Sequence, residues 1–133
     1  MAGITEEELE SSVSTVSMNG YRRAPKSDQP KILEWVAGLR QMPDRDFVAE
    51  CASKILDSAI MNRFPRINGW GTHARADICA DEADRRHQLA GHDADCRGAT
   101  LYSEGYNAAR RSQGHPAEPL NPCTCGLKGE ETS

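Results

Sequence analysis

From Phe47 onward, apolar residues return in pairs every four positions: Phe47 with Val48, Cys51 with Ala52, Ile55 with Leu56, Ala59 with Ile60. That period places them all along one side of an α-helix and on no single face of a strand. With Pro43 as a breaker and Asp44 as N-cap, the pattern predicts a helix over 44–63 that acts as the spine of the fold. Cys51 falls inside the stripe and reads as a small hydrophobe of the core.

The same period organises the rest of the chain. Thr5 with Glu8 is a capping-box pattern, and Leu9, Val13 and Val16 share a face, so one helix is expected over 5–18. Gly20 would end it, leaving a basic linker over 19–27. Ser27 or Asp28, with Pro30 in the first turn, opens a second helix on which Ile32, Trp35, Val36 and Leu39 align, Trp35 being assigned to the core. A turn-rich stretch over 62–72 follows. Thr72 can cap a polar, Ala-rich helix over 73–89 that Gly91 closes. Ala99, Tyr102, Tyr106 and Ala109 mark a last helix over 95–112, which Gly105 weakens by about 1 kcal/mol relative to Ala. The expected fold is all-α: a single domain over 1–133, a small bundle of four to five short helices. Its helical core spans about 28–112, with the N-terminal helix 5–18 before it and an irregular tail over 113–133 behind it.

Such a bundle has a thin interior. Leu, Ile, Val and Phe make up about 15% of the 133 residues, under the rough 20% below which chains tend to disorder when strongly charged. The net charge of −4 is modest, so an ordered centre is expected, helped by a staple. A pI near 5.5 speaks against a protein whose main work is neutralising nucleic-acid phosphates. No apolar run approaches the ~20 residues that span a bilayer. The start, Met1-Ala2-Gly3-Ile4-Thr5-Glu6-Glu7-Glu8, lacks the basic and apolar regions of a signal peptide, which makes the cytoplasm the expected location. An odd count of five cysteines in a reducing compartment then argues against a disulfide framework.

Apart from Cys51, every Cys and His lies between residues 73 and 125. His92 and Cys96 are one helical turn apart, and Cys123 and Cys125 sit in a short loop flanked by Pro122 and Gly126. Two close pairs of N and S donors from separate segments are what a tetrahedral zinc site requires. The expected ligands are therefore His92, Cys96, Cys123 and Cys125, with Cys79, His87 and His115 as alternates. Joining the pairs would pin the tail to the start of the last helix. Two other readings stand beside it: half-buried core thiols with a loose pair on the tail, or a redox dithiol at Cys123 and Cys125. His73, Asp77, Asp81, Asp84 and His87 also share one helical face, which reads as a solvated acidic surface and, failing that, as a cation site.

Enzyme signals are sparse. His92-Asp93 after His73 or His87 resembles part of the pattern of the His-Asp phosphohydrolases, but that pattern needs a later Asp and none follows Asp95. Glu7 with Glu10 and Asp81 with Asp84 look like the paired carboxylates of all-α, Mg-dependent nucleotide pyrophosphohydrolases, which makes that activity the enzymatic alternative. No phosphate-binding Gly-rich loop is present. Arg63, Arg66 and Arg75 would serve a small nucleic-acid-binding regulator. The favoured expectation is a non-catalytic helical interaction or regulatory protein with a structural zinc. It would bind a protein partner through Trp70 and Arg66, in a Gly-flanked loop, the other reading of Trp70 being a lid on the core. Its small size and its Arg-over-Lys bias fit an accessory protein of a bacteriophage from a GC-rich host.

Overall fold

The computed structural model describes residues 4–63, 70–93, 96 and 98–124, the side chains of 60–63 excepted. Among them every regular element is a helix: α1 (Glu6–Ser12), α2 (Thr15–Arg23), α3 (Gln29–Gln41), α4 (Asp44–Arg63), α5 (Trp70–Leu89) and α6 (Leu101–Ser112). No helix among the described residues is long and apolar enough to cross a membrane. The all-α expectation holds, and α4 spans the predicted range.

The segment expected as one helix over 5–18 is two. Thr5 caps α1 by accepting from the Glu8 amide, and the chain then extends at Val13 and restarts with Ser14 as a second N-cap. The break is stabilised from a distance. One carboxylate oxygen of Asp81 accepts from the Ser14 amide at 3.0 Å, the Ser14 hydroxyl at 3.0 Å and the buried Ser17 hydroxyl at 2.5 Å. An acidic side chain at a helix N-terminus also complements the helix dipole. The restart shifts the helical phase, so Val16 is 64% exposed while Met18 and Tyr21 enter the core. The core therefore begins at Leu9 rather than near residue 28. Residues 19–23, expected as linker, are the second half of α2.

α3 begins at the expected cap, Asp28, but that carboxylate does not cap. It receives both Arg75 η-nitrogens at 3.1 Å and so ties the start of α3 to α5. Gln29, buried beside it, donates to the Ala24 carbonyl at 3.2 Å and helps close the end of α2. Trp35 is half-buried, its indole N–H donating to Glu50 at 2.6 Å.

The hub of the bundle is α5, not α4: it packs on α2, α3, α4 and α6, whereas α4 packs chiefly on α6 and α5. Its buried face is Gly71, Ala74, Ala76, Ile78, Cys79, Glu82 and Ala83. Small residues let neighbouring backbones come close, and dispersion between many atoms replaces bulk. Where α2 crosses α5, a β-carbon on Gly20 would stand 3.2 Å from the Ala74 β-carbon. Where α6 crosses α4, one on Gly105 would stand 2.7 Å from the Cys51 β-carbon. Cys51 and Cys79 are fully buried, as expected of Cys51. A hydrogen bond with the Cys51 thiol, together with burial, pushes the Cys79 thiol far above its ordinary range.

One charged side chain is also interior. Glu82, 4% exposed, lies 3.0 Å from Arg85, 3.5 Å from Arg40 and 3.7 Å from Arg86. Arg86 continues to Asp44 at 2.9 Å and to the Leu39 carbonyl at 2.8 Å, with its guanidinium over the Phe47 ring. This network joins the end of α3, the start of α4 and the last turns of α5.

Candidate metal centre

The site begins with a helix ending. α5 closes at Gly91, whose φ of +104° suits glycine and few other residues. The Gly91 amide donates to the Gln88 carbonyl and the His92 amide reaches back to the His87 carbonyl at 3.3 Å. This is the backward turn of a Schellman-type C-cap. It lays His92 over His87: the rings are parallel within 6° and 3.8 Å apart. The chain then turns at Asp93, whose carbonyl accepts from the Cys96 amide at 3.1 Å. Thr100 caps α6, accepting from Tyr102 while its own amide donates to the Ser103 hydroxyl. The last helix therefore starts at Leu101 rather than at residue 95, and Cys96 lies on the connection ahead of it.

The tail supplies the other side. Beyond Gly114 it turns and runs back along α6. The buried Asn107 side chain donates to the Glu118 carbonyl and accepts from the Glu118 amide, each at 2.9 Å. Arg110 donates to the Pro116 carbonyl at 3.0 Å. Further along, the Ala99 amide donates to the Asn121 carbonyl at 2.9 Å. Gly98 makes the final approach possible, because a β-carbon there would meet Cys123 Cα at 2.7 Å and Pro122 O at 3.2 Å. The expected return of the tail to the start of the last helix is observed.

His87, His92 and Cys96 come together as a result, and Cys123 lies beside two of them. His87 Nε2 is 3.3 Å from Cys96 Sγ, His92 Nδ1 is 3.0 Å from Cys123 Sγ and 3.8 Å from Cys96 Sγ, and the two sulfurs are 3.6 Å apart. Bond lengths of ~2.3 Å to sulfur and ~2.0 Å to nitrogen imply tetrahedral edges of about 3.5 Å between N and S and about 3.8 Å between sulfurs. The separations fall around those values. His87, His92 and Cys96 form a group that could hold a metal ion. Imidazole lone pairs lie in the ring plane, so two parallel rings reach one ion only by tilting the stack open.

Of the expected ligands, His92, Cys96 and Cys123 come together and the alternate His87 joins them; Cys125 lies outside the described residues. The alternates Cys79 and His115 are elsewhere. Cys79 faces Cys51 in the core. His115 is exposed beyond the C-terminal end of α6, about 18 Å along the helix axis from its start. The signal for His87 was available in Gly91, since a helix closed by a C′ glycine brings the following residue back over the last turn.

The other candidates are engaged differently. On the polar face of α5, Asp81 caps α2 and His73 Nδ1 lies 2.7 Å from the Ser58 hydroxyl. Burial, then the charge of Asp81, raises the Asp77 carboxyl above its usual value. Part of that face is thus packed rather than solvated. Glu10 pairs with Arg22, and Arg75 is held by Asp28. Trp70 is 42% exposed at the start of α5, its ring beneath Arg23 and edge-on to His73. Arg66 lies outside the described residues, as does the side chain of Arg63.

Beside the donors runs a cleft of about 710 Å³, lined among others by Arg85, His87, His92, Thr100, Glu104 and Cys123. No family model, curated protein or solved structure matches this chain.

The approach at Gly98 gives a direct test. Gly98→Ala is expected to push the Cys123 backbone away and to weaken metal retention at least about tenfold, the scale seen when a ligand's support is lost. Competition against a chromophoric chelator measures it. An unchanged affinity means the tail does not need this contact to deliver its sulfur.

Proposed function

We propose that this chain is a non-catalytic helical interaction module whose C-terminal segment is stapled by a structural zinc ion. The observation that supports the reading most is the convergence of two imidazoles and two thiols from three segments: the end of α5, the 92–96 connection and the returning tail. Cys₂His₂ is a donor set for zinc, and four protein donors leave no position for a substrate, as in structural rather than catalytic sites. The thin apolar interior supplies the need for it, because metal binding adds folding free energy that bulky side chains do not provide here. A protein partner would bind at the exposed Trp70 with Arg23 over its ring, an aromatic and Arg pair of the kind enriched in binding hot spots.

The test is the metal content of full-length protein purified without chelator. About one zinc per chain is expected, and its removal should lower the melting temperature by about 5 °C as the tail undocks, a partial rather than global loss. Cys96→Ser and Cys123→Ser should each abolish stoichiometric zinc, and comparing His87→Ala with Cys125→Ser assigns the fourth donor. A protein without bound metal, whose melt ignores chelator and added zinc alike, rejects the staple.

A further inference from the structure

We infer that Cys96 and Cys123 are an oxidation site, which a hydroperoxide entering the neighbouring cleft closes into a disulfide, expelling the metal. The inference rests on the zinc reading only for that last consequence. The sulfurs are already 3.6 Å apart and a disulfide needs about 2.05 Å. The remaining distance is within reach of side-chain rotation, because Cys123 is on an exposed segment without regular structure and neither sulfur is carried by a helix. Cys123 also lines the cleft, so an oxidant reaches it without opening the core. Cys51 and Cys79 make the contrast: they too are neighbours, but both are fully buried on packed helices.

The chemistry balances with the hydroperoxide as sole oxidant. The Cys123 sulfur attacks the terminal peroxide oxygen, the O–O bond breaks, and a sulfenic acid forms as water or an alcohol leaves. The Cys96 sulfur then attacks the sulfenic sulfur, forming the S–S bond and releasing the second oxygen as water. Two electrons pass from the thiol pair to the peroxide. The protons come from the two thiols, or from solvent where the sulfurs start as metal thiolates. A disulfide no longer offers thiolate ligands, so the staple opens; thiol exchange with a reductant restores it.

The experiment treats full-length, zinc-loaded protein with hydrogen peroxide, following released zinc with a chromophoric chelator and the products by intact mass and non-reducing peptide mapping. A loss of about 2 Da per chain, a linked peptide containing Cys96 and Cys123, and about one equivalent of zinc are expected, all reversed by dithiothreitol and zinc. Cys125→Ser should form the same link and Cys123→Ser should not. A Cys123–Cys125 link instead, or oxygenated sulfur without any link, overturns the inference. Protein that binds no zinc yet forms the 96–123 link removes the staple reading and leaves this pair standing. Protein that keeps zinc and forms no link does the reverse.

Discussion

Replacing Glu82 with Ala should lower the unfolding free energy by about 3 kcal/mol, the scale of a buried ion pair that loses one partner. Its carboxylate, 4% exposed, lies among three guanidinium groups, those of Arg40, Arg85 and Arg86. The cost is less the lost attraction than what remains. Arg86 keeps Asp44 and the Leu39 carbonyl, but Arg40 and Arg85 lose their only carboxylate among the described ion pairs. Glu82→Gln keeps the shape and one acceptor oxygen and should cost less. Urea denaturation of the three proteins at neutral pH decides it. A change under about 0.5 kcal/mol in the Ala variant, the usual range for surface substitutions, means solvent already screens the cluster.

Gly105→Ala should destabilise by up to about 2 kcal/mol although the same change in Gly38 should stabilise. Both glycines lie inside helices, where Ala is favoured by about 1 kcal/mol. At Gly38, nothing lies within 4 Å of an added β-carbon, so only that propensity acts. At Gly105 the added carbon meets Cys51 Cβ at 2.7 Å, Val48 O at 3.1 Å and Ala52 N at 3.3 Å. These atoms belong to the α4 backbone or are one bond from it, so no rotamer change relieves the overlap. α6 must move away, and overpacking of this kind costs roughly 1–3 kcal/mol. Opposite signs in paired melts support the close crossing; two stabilised proteins would sink it.

How much of this was legible depends on where each signal lies. The ends of α4 follow from Pro43, Asp44 and an unbroken stripe, all local, and α4 spans the predicted range. The break at Val13 was hidden because the group that stabilises it, Asp81, is 67 positions from Ser14. The central place of α5 was hidden for another reason. Hydrophobic patterning weighs Ala, Gly and Cys lightly, yet a helix surfaced with them admits neighbours at backbone distance. The candidate metal centre was partly legible: the scarcity of large apolar residues and the crowding of Cys and His past residue 73 pointed to a pinned tail. The exchange between Asn107 and Glu118 that guides the tail along α6 leaves no mark in spacing, since a single Asn on a helix face has many ordinary uses.

The small-residue surface of α5 also bears on how the molecule meets changes of temperature. Unfolding it wets comparatively little hydrocarbon and a large share of peptide groups, and these two kinds of surface contribute to the heat capacity with opposite signs. The stability curve should therefore be flatter than for a leucine-rich bundle of equal length, giving up height at its maximum in exchange for breadth.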